Sequence, residues 1–225
     1  MAIDLPQEII DLRREVLSMG GLVEQQLQRA LRALSDFDAN LAESVRAEDD
    51  QVNEIEVNIE AHCLRILALG RPVAGDLRFV LAVQRITNDL ERVGDLAKGI
   101  SKRVKYLSAN GTEVELPDIL GEMGKRCLAM LADAVGSLAD EKPEVLDKMH
   151  REDRFVDGME TEIFWWVQRT APISSETTTT AVDILSIARL LERIADHCVN
   201  IAEDVNFYVS GNIVRHGFNT GAQPD

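Results

Sequence analysis

Aromatic side chains make up only 4% of this chain, and its 225 residues include just 6 prolines and 3 cysteines. So few aromatics and prolines suit helices and argue against a sandwich of strands. Cys63, Cys127 and Cys198 are odd in number, show no Cys-x-x-Cys spacing and fall inside apolar helical patterns. They read as buried, reduced thiols of a cytoplasmic protein, not as a disulfide framework or a thiolate metal site. Positive charge is also scarce: 24 Lys and Arg face 39 Asp and Glu, a net charge of −15. That balance excludes a nucleic-acid binder, which needs a basic stripe, and docking on an anionic leaflet. It fits a protein that attracts cations or meets a basic partner. No apolar run approaches the roughly 18 residues of a spanning helix, so no membrane insertion is expected. The start, Met1 to Glu8, has no basic segment leading into an apolar one, so no signal peptide is expected and the location is read as cytoplasmic.

What is present is a repeat. Glu91-Arg92-Val93-Gly94-Asp95 returns as Glu192-Arg193-Ile194-Ala195-Asp196, an offset of 101 residues (192 − 91). Around it, Val83, Ile86, Leu90, Val93, Ala97, Ile100 and Val104 map onto Ile184, Ile187, Leu191, Ile194, Cys198, Ile201 and Val205. The steps alternate between three and four, which is a heptad seam of a long helix packed on other helices.

Six helices follow, in two sets of three. The first runs from about Gln7 to Asp36, with Gly20-Gly21 as a site of bending. Asp38 or Asn40 caps the second, which ends near Leu69 before Gly70-Arg71-Pro72. The third spans about Ala74 to Leu107, and Asn110-Gly111 is a turn. The fourth runs from about Pro117 to Ala139, and Pro143 opens the fifth. Pro172 breaks the chain, and Ser174 or Ser175 caps a sixth helix reaching about Ser210. No segment reads as strand. The fold class is therefore all-α, two tandem three-helix bundles related by internal duplication: 1–110, 111–210, and a loose tail at 211–225.

The repeated acids lie off the seam. With Leu90 as an a position, Glu91 is b and Asp95 is f, so both point away from the core on one face. A fold needs its seam repeated but not its outer carboxylates. The middle helices carry a second pair: Asp153 and Asp157 at e and b, matched by Asp49 and Asn53 at an offset of 104 (153 − 49). If middle and third helices are neighbours, these oxygens converge within each half. Converging carboxylates repel and raise one another's pKa unless water, arginines or cations intervene. Oxygen ligands without sulfur suit magnesium, calcium, manganese or iron, whereas zinc usually prefers His or Cys. Solubility alone also produces acids at such positions, and Arg92 and Arg193 stand beside them.

Glu-Arg-Val-Gly-Asp-Leu-Ala-Lys-Gly-Ile and Glu-Arg-Ile-Ala-Asp-His-Cys-Val-Asn-Ile-Ala-Glu-Asp-Val resemble the paired signatures of the PhoU family of bacterial phosphate regulators, and Gly70 to Arg78 resembles the run that leads into its third helix. The resemblance extends from about residue 7 to 210 in the same duplicated order. It implies two three-helix bundles side by side and, in some members, multinuclear surface clusters of iron, zinc, manganese or magnesium. By position, one cluster would use Asp49, Asn53, Glu91 and Asp95, and the other Asp153, Asp157, Glu192 and Asp196. Asn53 stands where an Asp is common, so the first site should be the weaker. The resemblance further implies a non-enzymatic negative regulator of phosphate uptake and phosphate-starvation signalling. Such an adaptor would join the ATPase of a phosphate ABC importer to a phosphate-sensing histidine kinase, and its expected assembly is a homodimer.

Other readings are poorer. A carboxylate-bridged di-iron oxidase or metal-storage bundle needs Glu-x-x-His pairs aimed into the core, and Asp147-x-x-His150 is the nearest approach. Cys198 follows His197 directly, but adjacent helical residues diverge, which disfavours a nucleophilic pair. His62 at a d position reads as a satisfied boundary histidine. Trp165 reads as core or as an anchor for a partner. Arg71 and Arg78 have no glycine-rich phosphate cradle.

Overall fold

A computed structural model describes residues 3–109, 115–171, 174–215 and 218–220. Its helices are α1 (Leu5–Asp36), α2 (Ala39–Arg65), α3 (Ala74–Ala109), α4 (Asp118–Asp140), α5 (Val145–Thr170) and α6 (Ser175–Ser210). A single wider-wound π turn, Ile66–Gly70, continues α2. Helix starts follow local chemistry. Asp38 caps α2 by accepting from the N–H groups of Asn40 and Leu41, each at 2.9 Å. Ser174 and Thr177 form a reciprocal capping box on α6. Phe37 and Glu141, duplicates of each other (141 − 37 = 104), end α1 and α4 in the left-handed region, at φ 50° and 54°. The expected turn at Asn110-Gly111 and break at Pro172 lie outside the described residues.

All fourteen positions of the duplicated seam are buried. α1, α2 and α3 pack together, α4, α5 and α6 do the same, and the two lobes meet through α3 against α6 and α1 against α4. The buried residues form one continuous core through both lobes. One correction concerns the end of the chain, expected to be free of strand. Ile213–Arg215 and Phe218–Thr220 pair as two short antiparallel strands, with Val214 opposite Asn219.

The α3–α6 contact carries buried acids outside the duplicated acid pairs: Asp89, Asp183 and Asp204 are 8%, 6% and 1% exposed. Each has a partner across the lobes. Arg103 Nη1 donates to Asp183 at 2.9 Å and Arg85 Nη1 to Asp204 at 3.2 Å. His197 Nδ1 lies 2.7 Å from Asp89 Oδ1, which also accepts from Asn200 at 3.4 Å. Rising numbers on α3 pair with falling numbers on α6, so the two helices are antiparallel.

The α1–α4 contact corrects another expectation. α1 runs unbroken through Gly20-Gly21, and Gly20 serves close packing. A Cβ on Gly20 would sit 2.8 and 2.9 Å from the two γ-methyls of Val135. A Cβ on Gly124 would sit 2.6 Å from Leu31 Cδ2. Gly124 is the duplicate of Gly20, and Val135 of Leu31, both at an offset of 104 (124 − 20; 135 − 31). The same contact is made twice about a pseudo-twofold axis.

Candidate functional site

In the second lobe, α5 and α6 lie side by side and bring Asp153, Asp157, Glu192 and Asp196 together. Asp153 is pushed up to about 6, first by burial, then by Asp157 and Asp196, against weaker opposition from His150 and Arg154. Burial, then Asp196 and Asp157, also raise Glu192. Asp196 is raised by burial and Asp157, while His197 and Arg193 oppose. The four expected residues thus sense one another as a cluster. Glu160 joins them, acting on Glu192.

In the first lobe the picture is partial. Glu91 is raised by burial, then by Asp95, with Arg92 opposing and Glu56 adding to the rise. Arg92 reaches both acids, with Nε 3.4 Å from Glu91 Oε2 and Nη1 3.5 Å from Asp95 Oδ2. Asn53 is half-buried on α2, and the side chain of Asp49 lies outside the described residues. Glu91 was expected to face outward, yet its side chain is only 14% exposed. A heptad count on α3 cannot see that α2 roofs its b positions. Glu56 and Glu160 stand outside the quoted motifs. They are a further duplicated acid at the offset of 104 (160 − 56), so the repeat itself held the signal.

Two observations bear on whether these residues suit a cation. Asp153 Oδ1 and Glu91 Oε2 are buried without a hydrogen-bond partner, one in each lobe. The Arg92 guanidinium already stands 3.4 Å from Glu91 Oε2, whereas Asp153 Oδ1 has no ion pair among the described residues, and an anionic oxygen left so is costly unless something positive approaches it. The donor set is also all oxygen, which suits hard ions. Among the described residues, no three His, Cys, Asp or Glu side chains are arranged to hold a metal ion as they stand. Half-exposed carboxylates on neighbouring helices repel, so gathering them needs rotamer changes that the ion's charge would drive.

The cluster has a pH signature. Asp153 titrates near 3.8 when unfolded and near 6 when folded, so the folded chain binds this proton more tightly. Stability therefore rises as pH falls through about 6, and its loss is complete above that. The whole shift corresponds to about 3 kcal/mol. Half-exposure and screening reduce this, and only part develops between about pH 7 and 5, leaving on the order of 0.5–1 kcal/mol. Chelator-treated protein should then melt about 2 °C higher at about pH 5 than at pH 7. Asp153→Asn should flatten that slope, and an unchanged slope in thermal melts would contradict the assignment.

Other candidates are placed differently. His62 bridges two acids, Nδ1 lying 2.9 Å from Glu15 Oε2 and Nε2 2.8 Å from Glu8 Oε2. It is a satisfied boundary histidine. His197 turns to Asp89 while Cys198 is buried. Burial pushes Cys63 up to about 12 and also raises Cys127 and Cys198, so these thiols are poor nucleophiles. Asp147 is exposed and His150 half-buried, so the di-iron motif does not face the core. Arg78 donates to the carbonyl of Tyr208 at 3.2 Å, a packing role. Trp165 is 53% exposed, unlike Trp166, which packs against the core.

Comparison with known proteins matches the PhoU domain twice, at residues 16–104 and 120–205. The phosphate-specific transport system accessory protein PhoU homolog of Pseudomonas aeruginosa is 35% identical over 214 residues, covering 93% of this chain and 86% of that protein. The accessory protein PhoU of Escherichia coli K12 is 34% identical over 209 residues, with the same two coverages of 93% and 86%. The crystal structure of PhoU from Pseudomonas aeruginosa superposes with a TM-score of 0.89 at 33% identity, over 92% of this chain and 100% of that one. The phosphate transport system regulatory protein PhoU from Streptococcus pneumoniae gives 0.83 at 29%, over 94% and 100%.

Proposed function

The chain belongs to the PhoU family, and from that membership we propose that it is a negative regulator of phosphate uptake and phosphate-starvation signalling. Its partners in this reading are the ATPase of a phosphate ABC importer and a phosphate-sensing histidine kinase. The observation that carries it is the match of both lobes, in order, to accessory and regulatory proteins of phosphate transport. The chain works by contact, without turnover of a substrate. A rigid pair of lobes sharing one core suits that role, because it presents surfaces at fixed separation. No helix among the described residues is long and apolar enough to cross a membrane, so importer contact would be made from outside the bilayer.

Within the same reading, each acid cluster holds a multinuclear metal centre. Asp153, Asp157, Glu192 and Asp196 would hold it in the second lobe; Asp49, Asn53, Glu91 and Asp95, joined by Glu56, would hold it in the first. Bound metal would supply positive charge to the orphaned Asp153 oxygen and cross-link middle and third helices. Asn53 offers an amide oxygen without charge, so the first centre binds more weakly.

Deleting the gene tests the regulatory role. Phosphate-scavenging genes should stay on in phosphate-rich medium, and reintroducing the chain should switch them off. Transcript levels indistinguishable from the parent strain would refute the proposal.

A further inference from the structure

Beside the acid cluster of the first lobe, a cavity of about 220 Å³ that opens to solvent lies between α2 and α3, lined by Glu56, Ile59, Glu60, Gln84, Thr87 and Asn88, of which Glu60 and Asn88 are exposed. Its lining is rich in acceptors: two carboxylates, two side-chain amides and a hydroxyl. Neither Glu56 nor Glu60 has an ion-pair partner among the described residues. Thr87 is only 3% exposed, and its Oγ1 has no hydrogen-bond partner. A threonine inside a helix normally satisfies its hydroxyl on the preceding turn, so an orphan buried in the wall of a cavity points to something in the cavity.

The duplication says what that something is. The six lining positions recur in the second lobe, at the offset of 104 for α2 and 101 for α3, as Glu160, Ile163, Phe164, Leu185, Ala188 and Arg189. The glutamate and the isoleucine are kept. Glu60, Gln84 and Thr87 give way to Phe164, Leu185 and Ala188, so the polar wall becomes apolar. Asn88 gives way to Arg189, whose Nε lies 3.7 Å from Glu160 Oε1. The second lobe therefore supplies its own guanidinium to the kept glutamate. The first lobe has the carboxylate, a second carboxylate and an unsatisfied hydroxyl, but a neutral amide where the cation should come from.

We propose that this cavity binds a guanidinium or primary-ammonium group, filling in the first lobe the place that the Arg189 side chain fills in the second. Guanidinium offers five N–H donors in a flat fork, and carboxylate, amide and hydroxyl oxygens around one cavity can accept them. The volume is that of roughly seven waters, which admits a small organic cation with part of its hydration and is large for one bare metal ion. The group comes either from a free small molecule, such as a polyamine, or from an arginine or lysine side chain that a partner inserts. The proposal does not rest on the adaptor role; it shares Glu56 with the metal centre proposed for the first lobe, so its test uses metal-free protein.

Calorimetric titration of chelator-treated protein tests it, with methylguanidine, methylamine, spermidine and a blocked arginine tripeptide as probes. At least one should bind saturably with one-to-one stoichiometry. Glu60→Gln should weaken that binding about tenfold, the scale of one charge-assisted hydrogen bond. Thr87→Val should weaken it while leaving the melting temperature level or higher, because the orphaned hydroxyl is gone. Asn88→Arg should abolish it in a protein that melts no lower than wild type, since the planted guanidinium occupies the cavity. Glu192→Ala with Asp196→Ala, in the other lobe, should leave it unchanged. Binding of spermidine or the simple amines identifies a free cation. Binding of the tripeptide alone identifies a partner's side chain. The proposal is overturned if no probe binds, if a folded Asn88→Arg protein binds as wild type does, or if only Mg²⁺ or Mn²⁺ titrates the cavity.

Discussion

Gly20→Leu should unseat the two lobes, costing at least about 3 kcal/mol and lowering the melting temperature by about 6–12 °C. The reason lies in what faces the glycine. Both γ-methyls of Val135 stand within 2.9 Å of the place where a Cβ would go. Valine is stiff at χ1, and any staggered rotamer leaves at least one methyl facing the glycine. Relief must then come from moving α4, which is tied to the same core. Even Gly20→Ala should destabilise by about 1–2 kcal/mol, since overpacking of about 1–3 exceeds the helix-propensity gain of up to about 1. Its neighbour is the control. A Cβ on Gly21 meets nothing within 4 Å. Gly21→Ala should therefore stabilise by up to about 1 kcal/mol. Gly124→Ala should fall between them, because the obstructing atom is the distal methyl of Leu31, which can swing away. Denaturant melts of the four variants would measure the order, and a Gly20→Ala protein as stable as Gly21→Ala would show that the helices are not held at that distance.

On the proposed metal reading, Glu192→Ala combined with Asp196→Ala should remove the second lobe's metal and spare the first. These two carboxylates act on Asp153, Asp157 or each other, so losing both leaves too few anionic oxygens for a multinuclear centre. Elemental analysis of protein prepared in the presence of iron, zinc, manganese and magnesium should fall by one centre's share. Glu91→Ala with Asp95→Ala should produce a smaller loss, because Asn53 weakens that site from the outset. In the converse change, Asn53→Asp should raise occupancy of the first lobe. Finding no metal in wild-type protein prepared this way would leave the clusters as solvated acids and remove the metal reading, while the regulatory role would stand.

The seam was legible because it is local. A step of three or four residues fixes which way each side chain points around its own helix, and every residue so placed between Val83 and Val104, and between Ile184 and Val205, is buried. Caps at Asp38 and Ser174 were legible for the same reason, since the groups they satisfy are two or three residues away. The candidate cluster of the second lobe was legible through duplication, which marks positions that the core does not require.

Contacts between residues far apart in sequence were not. Arg103 meets Asp183 across 80 residues, His197 meets Asp89 across 108, and Arg85 meets Asp204 across 119. None of these pairs is repeated, so no offset marks them. Gly20 shows the same limit from another side. A glycine pair inside a helix is compatible with a bend or with a close neighbour, and only the position of α4 decides between them.

The amino-acid order by itself determined six helices, their phase, their duplication and the residue types offered on each outer face. Tertiary structure decided which of those faces meet. It buried Glu91 under α2, added Glu56 and Glu160 to the clusters, and left a cavity in one lobe where the other places Arg189. The physical reason is that periodicity fixes angles about a single helix axis, whereas the distance and rotation between axes come from side chains interlocking across them.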